Sequence, residues 1–190
     1  AVTSTATELN LLDDKDATHL AVPGKLAGTN FTNSLLIGHT TTGTLDAAQH
    51  NTGVGIGALD ALTSGDNNTA LGRESLSANN SGIANTGIGV GSLSSVTSGR
   101  NNTALGLSSL SQTTGRNNIG IGYTAGNNIT SGDGNVVIGT ADVASATGDN
   151  QLSISDAYSG SVVWISGDSS GNLTFGGTIT VGSATVTEAQ

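Results

Sequence analysis

Acidic side chains are the first candidates for chemistry in this chain, because paired carboxylates carry out acid–base catalysis on glycosidic bonds. Asp60, Asp66 and Glu74 lie in a repeated part of the sequence, but each occupies a different position in its repeat and occurs once there. A catalytic pair needs two carboxyl groups that face one cleft, and this scatter favours solvated surface charge. We therefore predict no catalytic residue and no enzymatic activity.

Metal and cofactor sites are weakly indicated. Asp66, Asp133 and Asp149 each follow a glycine, but the Gly-Gly-x-Gly-x-Asp nonapeptide of calcium β-rolls is absent, and capping of the turns explains them more simply. The glycine-rich segment 53–57 resembles a nucleotide-binding loop in composition only, since it lacks the Gly-Lys-Ser/Thr ending and a following long helix. We expect no cofactor and no metal ligands.

Histidines and isolated aromatic residues leave two alternatives open. The histidines, which lack the spacing of zinc ligands, are His19, His39 and His50. In a homotrimer, one histidine on the axis would supply three nitrogen ligands; an exposed or hydrogen-bonded histidine is the competing interpretation. Tyr123 and Trp164 are residues that could stack on sugars, with packing as the alternative.

The charge balance excludes some partners. The chain has 14 acidic and five basic residues, for a net charge of −9, and no lysine or arginine follows Arg116. Nucleic acid and anionic membranes both require clustered cations, so we expect neither as a partner. No apolar run is long enough to span a bilayer, so we expect no membrane insertion.

A 17-residue repeat dominates the middle of the chain. Successive copies begin at Asn51, Asn68, Asn85 and Asn102, the last being one residue short, and they start NTGVG, NTALG, NTGIG and NTALG. Looser copies begin at Ser34, Asn118 and Asn135. One such unit cannot bury an apolar face alone, so a short fixed period predicts stacked coils that share one core. The sequence therefore predicts an all-β protein, a parallel β-solenoid or β-roll of about seven 17-residue coils.

Each coil is predicted to contain a strand, a turn, a short second strand and a Gly turn. In the first strand, branched residues alternate with Gly or Ala, which indicates two different faces. We expect the branched face to be the core, and the leading asparagines to form an amide ladder between coils. The Gly face is either the narrow interior or a surface that another backbone approaches. The predicted core comprises Ile37, Val54, Leu71, Ile88, Leu105, Ile121 and Ile138, together with Leu59, Leu76, Leu93 and Leu110.

The flanks differ from the repeat, which divides the chain into residues 1–32, 33–156 and 157–190. The first segment is predicted to hold a short helix, because Thr5-x-x-Glu8 has the form of a capping box. The last is predicted to form a β-hairpin around the turn at 168–172 and an aromatic plug at the end of the rod. A thin coil, a strand face without side chains, and the leucines Leu9 and Leu12 favour a homotrimer.

Three motifs carry a resemblance to known families. The NTALG and NTGIG coils with TSG corners resemble head repeats of trimeric autotransporter adhesins, and resemble more closely the NTAVG-type repeats of bacteriophage tail fibres and appendages, notably those of cyanophages. TATELNLLDD at 5–14, with Asp14 where that family has Gly, and GDSSGNLTFGGTITV at 167–181 are also similar to fibre sequences. The resemblance implies a homotrimeric β-structured shaft with a binding or adaptor role.

From this resemblance we expect a structural fibre segment on a virion that supports host attachment. Its expected partners are further copies of itself, other virion structural proteins, and a host surface glycan or protein. The first alternative is a bacterial trimeric surface adhesin, located at the cell surface. The second is an ice-binding solenoid, which the column of Thr52, Thr69, Thr86 and Thr103 motivates.

Overall fold

Each coil of the chain contributes one short strand to a continuous twelve-stranded sheet. A computed structural model describes residues 24–28, 31–37 and 46–177. Within these residues the structure is all-β and has no helix, so it also has none that could cross a membrane. The strands are β1 (Gly24–Gly28), β2 (Phe31–Ile37), β3 (Ala48–Gln49), β4 (Thr52–Val54), β5 (Thr69–Leu71), β6 (Thr86–Ile88), β7 (Thr103–Leu105), β8 (Ile119–Ile121), β9 (Val136–Ile138), β10 (Leu152–Ser155), β11 (Val163–Gly167) and β12 (Leu173–Phe175).

The strands β2 and β4 to β10 pair in parallel, each with the strand of the next coil. Their register matches the sequence repeat, since Thr52 lies opposite Thr69, and Thr69 lies opposite Thr86. The shortened copy is accommodated as well, because Thr103 pairs with Ile119 instead of with the residue 17 positions later. These pairings confirm the predicted parallel β-solenoid of about seven turns.

Antiparallel strands extend the sheet beyond the coils at both ends. At one end β1 pairs with β2, and at the other β10, β11 and β12 form a meander. The predicted hairpin around 168–172 is therefore present as β11–β12. The predicted N-terminal helix, with Leu9 and Leu12, lies outside the described residues.

The interior is built from large side chains on one wall and small ones on the sheet. The predicted core leucines Leu59, Leu76, Leu93 and Leu110 are fully buried, which confirms this column. The buried residues of the strands facing them are Gly53, Ala70, Gly87, Ala104 and Gly120, with the larger Leu36 and Val137 at the two ends. The glycine face is thus the interior of the coil.

The other predicted core column is wrong, because its branched side chains point outward. Leu71 and Leu105 are 48% and 46% exposed. The reason is the small distance across the coil: a Cβ added to Gly120 would lie 2.5 Å from Oγ of Ser109 and 2.7 Å from Cγ of Leu110, where ordinary contacts begin near 3.4 Å. The buried serines and leucines of the far wall fill the space beside the strand, so its larger side chains must face out. The misplaced residues are Ile37, Val54, Leu71, Ile88, Leu105, Ile121 and Ile138.

The predicted second strand of each coil is also wrong, since turns replace it. Every leucine of the buried column has a left-handed backbone, with φ of 58° at Leu59 and 49° at Leu110. This conformation turns the chain sharply, and a residue that has a Cβ adopts it at a cost of about 1–2 kcal/mol. Burial of a leucine stabilises by about 1.5–3 kcal/mol, which is enough to offset that cost.

The leading asparagines form the predicted ladder, and they are buried inside the coil. The Nδ2 group of Asn85 donates to Oδ1 of Asn68 at 3.2 Å and to the carbonyl of Gly99 at 2.9 Å. Its own Oδ1 accepts from the backbone N–H and the Nδ2 of Asn102. The ladder runs from Asn51 to Asn135 and ends at Gln151, whose Nε2 donates to Oδ1 of Asn135 and whose Oε1 accepts from the N–H of Ser145. At the other end, the Asn51 N–H donates to Oγ of Ser34.

We predict that Asn85→Gly lowers the free energy of unfolding by about 3 kcal/mol or more, because it leaves buried donors and acceptors on both adjacent coils without partners. Asn101→Gly is the matched control: the same change occurs one coil later at an exposed residue with φ of 58°, a conformation that glycine adopts freely. Urea unfolding followed by circular dichroism measures both. Equal stability of the two variants would contradict the ladder's role.

Candidate interaction face and end cavity

The outward branched column is part of an uncharged face on the sheet. Two ranks of side chains point out from the strands, because residues separated by two positions share one face of a strand. No charged residue stands in either rank within the described strands. The inner rank comprises Thr52, Thr69, Thr86, Thr103, Ile119, Val136 and Leu152, and the outer rank comprises Ile37, Val54, Leu71, Ile88, Leu105, Ile121, Ile138 and Ile154.

The C-terminal hairpin continues this face. Ile154 pairs with Ile165, and Ile165 pairs with Phe175, so both residues extend the outer rank. Phe175 is 43% exposed and Trp164 is 54% exposed. The expected aromatic plug is therefore replaced by a sheet extension with exposed aromatic side chains. At about 4.8 Å per strand, the outer rank from Ile37 to Phe175 is about 40 Å long.

A third row flanks the face, two residues beyond the outer rank in each coil. Ile56, Val90, Leu107 and Tyr123 are exposed there, and Arg73 takes the equivalent place in its coil, paired with Glu74. Among the described residues, the inner and outer ranks are thus uncharged, and the third row is apolar at these four positions, with the Arg73–Glu74 ion pair at its margin. Tyr123, considered above for sugar stacking, belongs to this row.

The acidic residues that suggested chemistry do not converge. The Oδ1 atoms of Asp66, Asp133 and Asp149 each accept a backbone N–H of the preceding coil, at 2.7 to 2.8 Å. They join successive coils instead of capping their own turns. No group of acidic and histidine residues in the described ranges could hold a metal ion.

The histidine and the glycine-rich segment considered as candidate sites make contacts within the fold. His50 forms a hydrogen bond to Nδ2 of Asn33 at 3.1 Å, whereas His19 and His39 lie outside the described residues. In the glycine-rich segment 53–57, Gly53 packs inside the coil, and Gly55 has φ of 136° where the next coil's backbone passes closely. These glycines serve the turn and the narrow interior.

A cavity of about 330 Å³ lies where the sheet extends past the last coil. Ser153, Ser166 and Thr174 line it from the sheet, and Asp142 and Val143 line it from the last coil. No motif in the sequence marks this site. Ser153, Ser166 and Thr174 come from three strands, β10, β11 and β12, and only the pairing of these strands brings the three residues side by side.

Two carboxylates, Asp156 and Asp168, hold the loops before and after β11, and Asp168 also lines the cavity. The backbone N–H of Ser159 lowers the pKa of Asp156 below its ordinary value of 3.8, with help from the Ser159 hydroxyl. The side-chain amide of Asn172 lowers the pKa of Asp168 below the same value, and the Asn172 backbone N–H adds to it. Both effects arise because a donor stabilises the charged carboxylate.

No protein-family model, curated protein or solved structure matches this chain.

We predict that acid loosens the hairpin before it unfolds the coils. A carboxylate whose pKa is lowered in the folded state contributes stability above its unfolded pKa, near 3.8 for Asp168, and this stability is lost as pH falls through the lower folded value. Trp164, the single tryptophan of the chain, reports the change as a red-shifted emission below about pH 3.8.

Asp168→Asn should reduce this acid response, because the amide does not titrate in that range, and Asp60→Asn in the solenoid should leave it unchanged. An identical acid profile in wild type and Asp168→Asn would contradict the assignment.

Proposed function

We propose that this chain is a non-catalytic structural segment of a virion fibre, a shaft or adaptor that supports attachment to a host surface. The observation that supports it most is the uncharged outer face of a rod-like solenoid. An exposed apolar strip about 40 Å long and about 10 Å wide covers on the order of 400 Å², a size at which such patches on proteins are commonly functional.

Other copies of the same chain are the occupants that suit this face best. The face carries repeated ranks of Thr, Val, Leu and Ile, so an identical face can pack against it without charge repulsion. Three rods about one axis would each turn this face inward and cover the leucines and isoleucines. We therefore propose a homotrimer, as the resemblance to fibre repeats implies.

The proposal also includes a location and a set of partners for the chain. The chain would belong to an extracellular virion appendage, contact other virion structural proteins, and help to present a binding surface to a host glycan or protein. It would bind no nucleic acid and insert into no membrane, in keeping with its net charge of −9. A trimeric adhesin on a bacterial surface remains the alternative.

Immunogold labelling with an antibody against the chain tests this location. Labelled particle appendages support the virion role, whereas labelling of bacterial surfaces without particles supports the adhesin.

We predict that Ile88→Asp converts the trimer to monomers without unfolding the coil. Ile88 is partly exposed on the outer rank, so an aspartate there is hydrated in the single chain and becomes buried only on association. Light scattering at micromolar concentration should give about three times 18.6 kDa for wild type and 18.6 kDa for the variant, with unchanged circular dichroism.

Ser95→Asp is the control, because Ser95 is exposed in the turn segment after Leu93, outside the outer ranks, and should keep the trimer mass. A wild-type monomer at this concentration would refute the self-association proposal and leave the solenoid unaffected. A wild-type dimer would retain the face as an interface and refute the threefold arrangement.

Ice binding is the second candidate, because the structure places Thr52, Thr69 and Thr103 exposed in one straight rank. This rank belongs to the same face that a trimer would cover, so the two functions exclude each other there. We expect no thermal hysteresis from the purified chain at millimolar concentration, measured by nanolitre osmometry. A clear freezing-point gap would favour ice binding over the fibre role.

A further inference from the structure

The sheet continues past the last coil as β11 and β12. On the inner side of this extension, residues 142–144 of the last coil line the cavity together with residues of the sheet. In the coils, this inner column holds Gly120 and Val137 against the far wall. Val137 pairs with Ser153, Ser153 with Ser166, and Ser166 with Thr174. The column therefore changes from apolar residues to three hydroxyls at the point where the cavity opens.

Ser153 is the most informative of these residues. It is 2% exposed, and its Oγ has no hydrogen-bond partner among the described residues. A buried hydroxyl without a partner is destabilising, and such groups in native proteins call for an explanation. Ser153 lines the cavity, so a turn of its side chain about χ1 would bring Oγ to a ligand placed there, which would supply the missing partner.

The composition of the lining restricts the ligand. Ser166, Thr174 and Asn172 offer both donors and acceptors, and the carboxylates of Asp142 and Asp168 offer acceptors. An anionic ligand would meet these two carboxylates and no cation, since the lining holds no lysine or arginine. Val143 and Val163 add apolar surface beside the hydroxyls.

This combination suits a neutral sugar, which presents hydroxyls at its edge and C–H groups on its faces. The volume of about 330 Å³ stands at the lower end of the range of about 300–1,000 Å³ for ligand pockets, which fits a single sugar unit better than a long oligosaccharide.

We propose that this end cavity binds one neutral sugar unit of a surface glycan, with the hydroxyls of Ser153, Ser166 and Thr174 as its contacts. The choice of a glycan rests on the attachment role proposed above. The site would give the fibre segment a receptor contact at the end of its coil array, separate from the association face.

Titration of the full chain with glucose, galactose, mannose and N-acetylglucosamine, followed by saturation-transfer NMR, tests the proposal. We expect saturable binding of at least one sugar at millimolar concentration. Thr174→Val and Ser166→Ala should each weaken it by about 5–10-fold, as expected for loss of one hydrogen bond. Thr97→Val, the same change at an exposed residue of a middle coil, should leave it unchanged.

Ser153→Ala should change two measured quantities in different directions, the melting temperature and the affinity for sugar. Removing an unpartnered hydroxyl should leave the melting temperature of the free protein unchanged or higher, whereas sugar affinity should fall. Binding of none of the four sugars, or binding that Thr174→Val and Ser153→Ala leave unaffected, would overturn the site. Light scattering on the same samples measures association independently, so loss of sugar binding and loss of the trimer are distinguishable.

Discussion

The narrow interior of the coil is the constraint on which the rest of this structure depends. Serines and leucines from the turn wall reach the strand wall directly, since a Cβ added to Gly120 would collide with both Ser109 and Leu110. Only Gly or Ala fits opposite them in the middle coils, so the larger residues of the strand must lie outside. The apolar outer face is therefore a consequence of how the inside is filled, and association is a natural way to cover it.

The sequence repeat predicts the fold well because, in a solenoid, the length of the repeat determines which residues of neighbouring coils pair. The spacing of Asn51, Asn68 and Asn85 is the spacing of the ladder, and the buried leucine column follows from it directly. Which strand face is inside was not predictable in the same way. The alternation of Ile88 with Gly87 and Gly89 indicates that the strand has two different faces. Which of the two faces the interior depends on the distance between the walls of the coil, and the sequence pattern does not give that distance.

The end cavity could not be predicted from the sequence, for a different reason. Ser153, Ser166 and Thr174 come from strands joined by a loop and a turn, and they lie outside the repeat. The loops that Asp156 and Asp168 hold by hydrogen bonds set that geometry. The composition indicates only that the chain has no lysine or arginine after Arg116. This disfavours anionic ligands but does not show where a site lies.

The asparagine ladder gives the array a direction and two defined ends. Each amide donates toward the preceding coil and accepts from the following one, so the amide dipoles align and polarise one another along the rod. Ser34 begins the series with a hydroxyl, and Gln151 ends it, because its longer side chain turns its oxygen back to the N–H of Ser145. Like the capping residues of a helix, these two side chains limit how far the coil array extends.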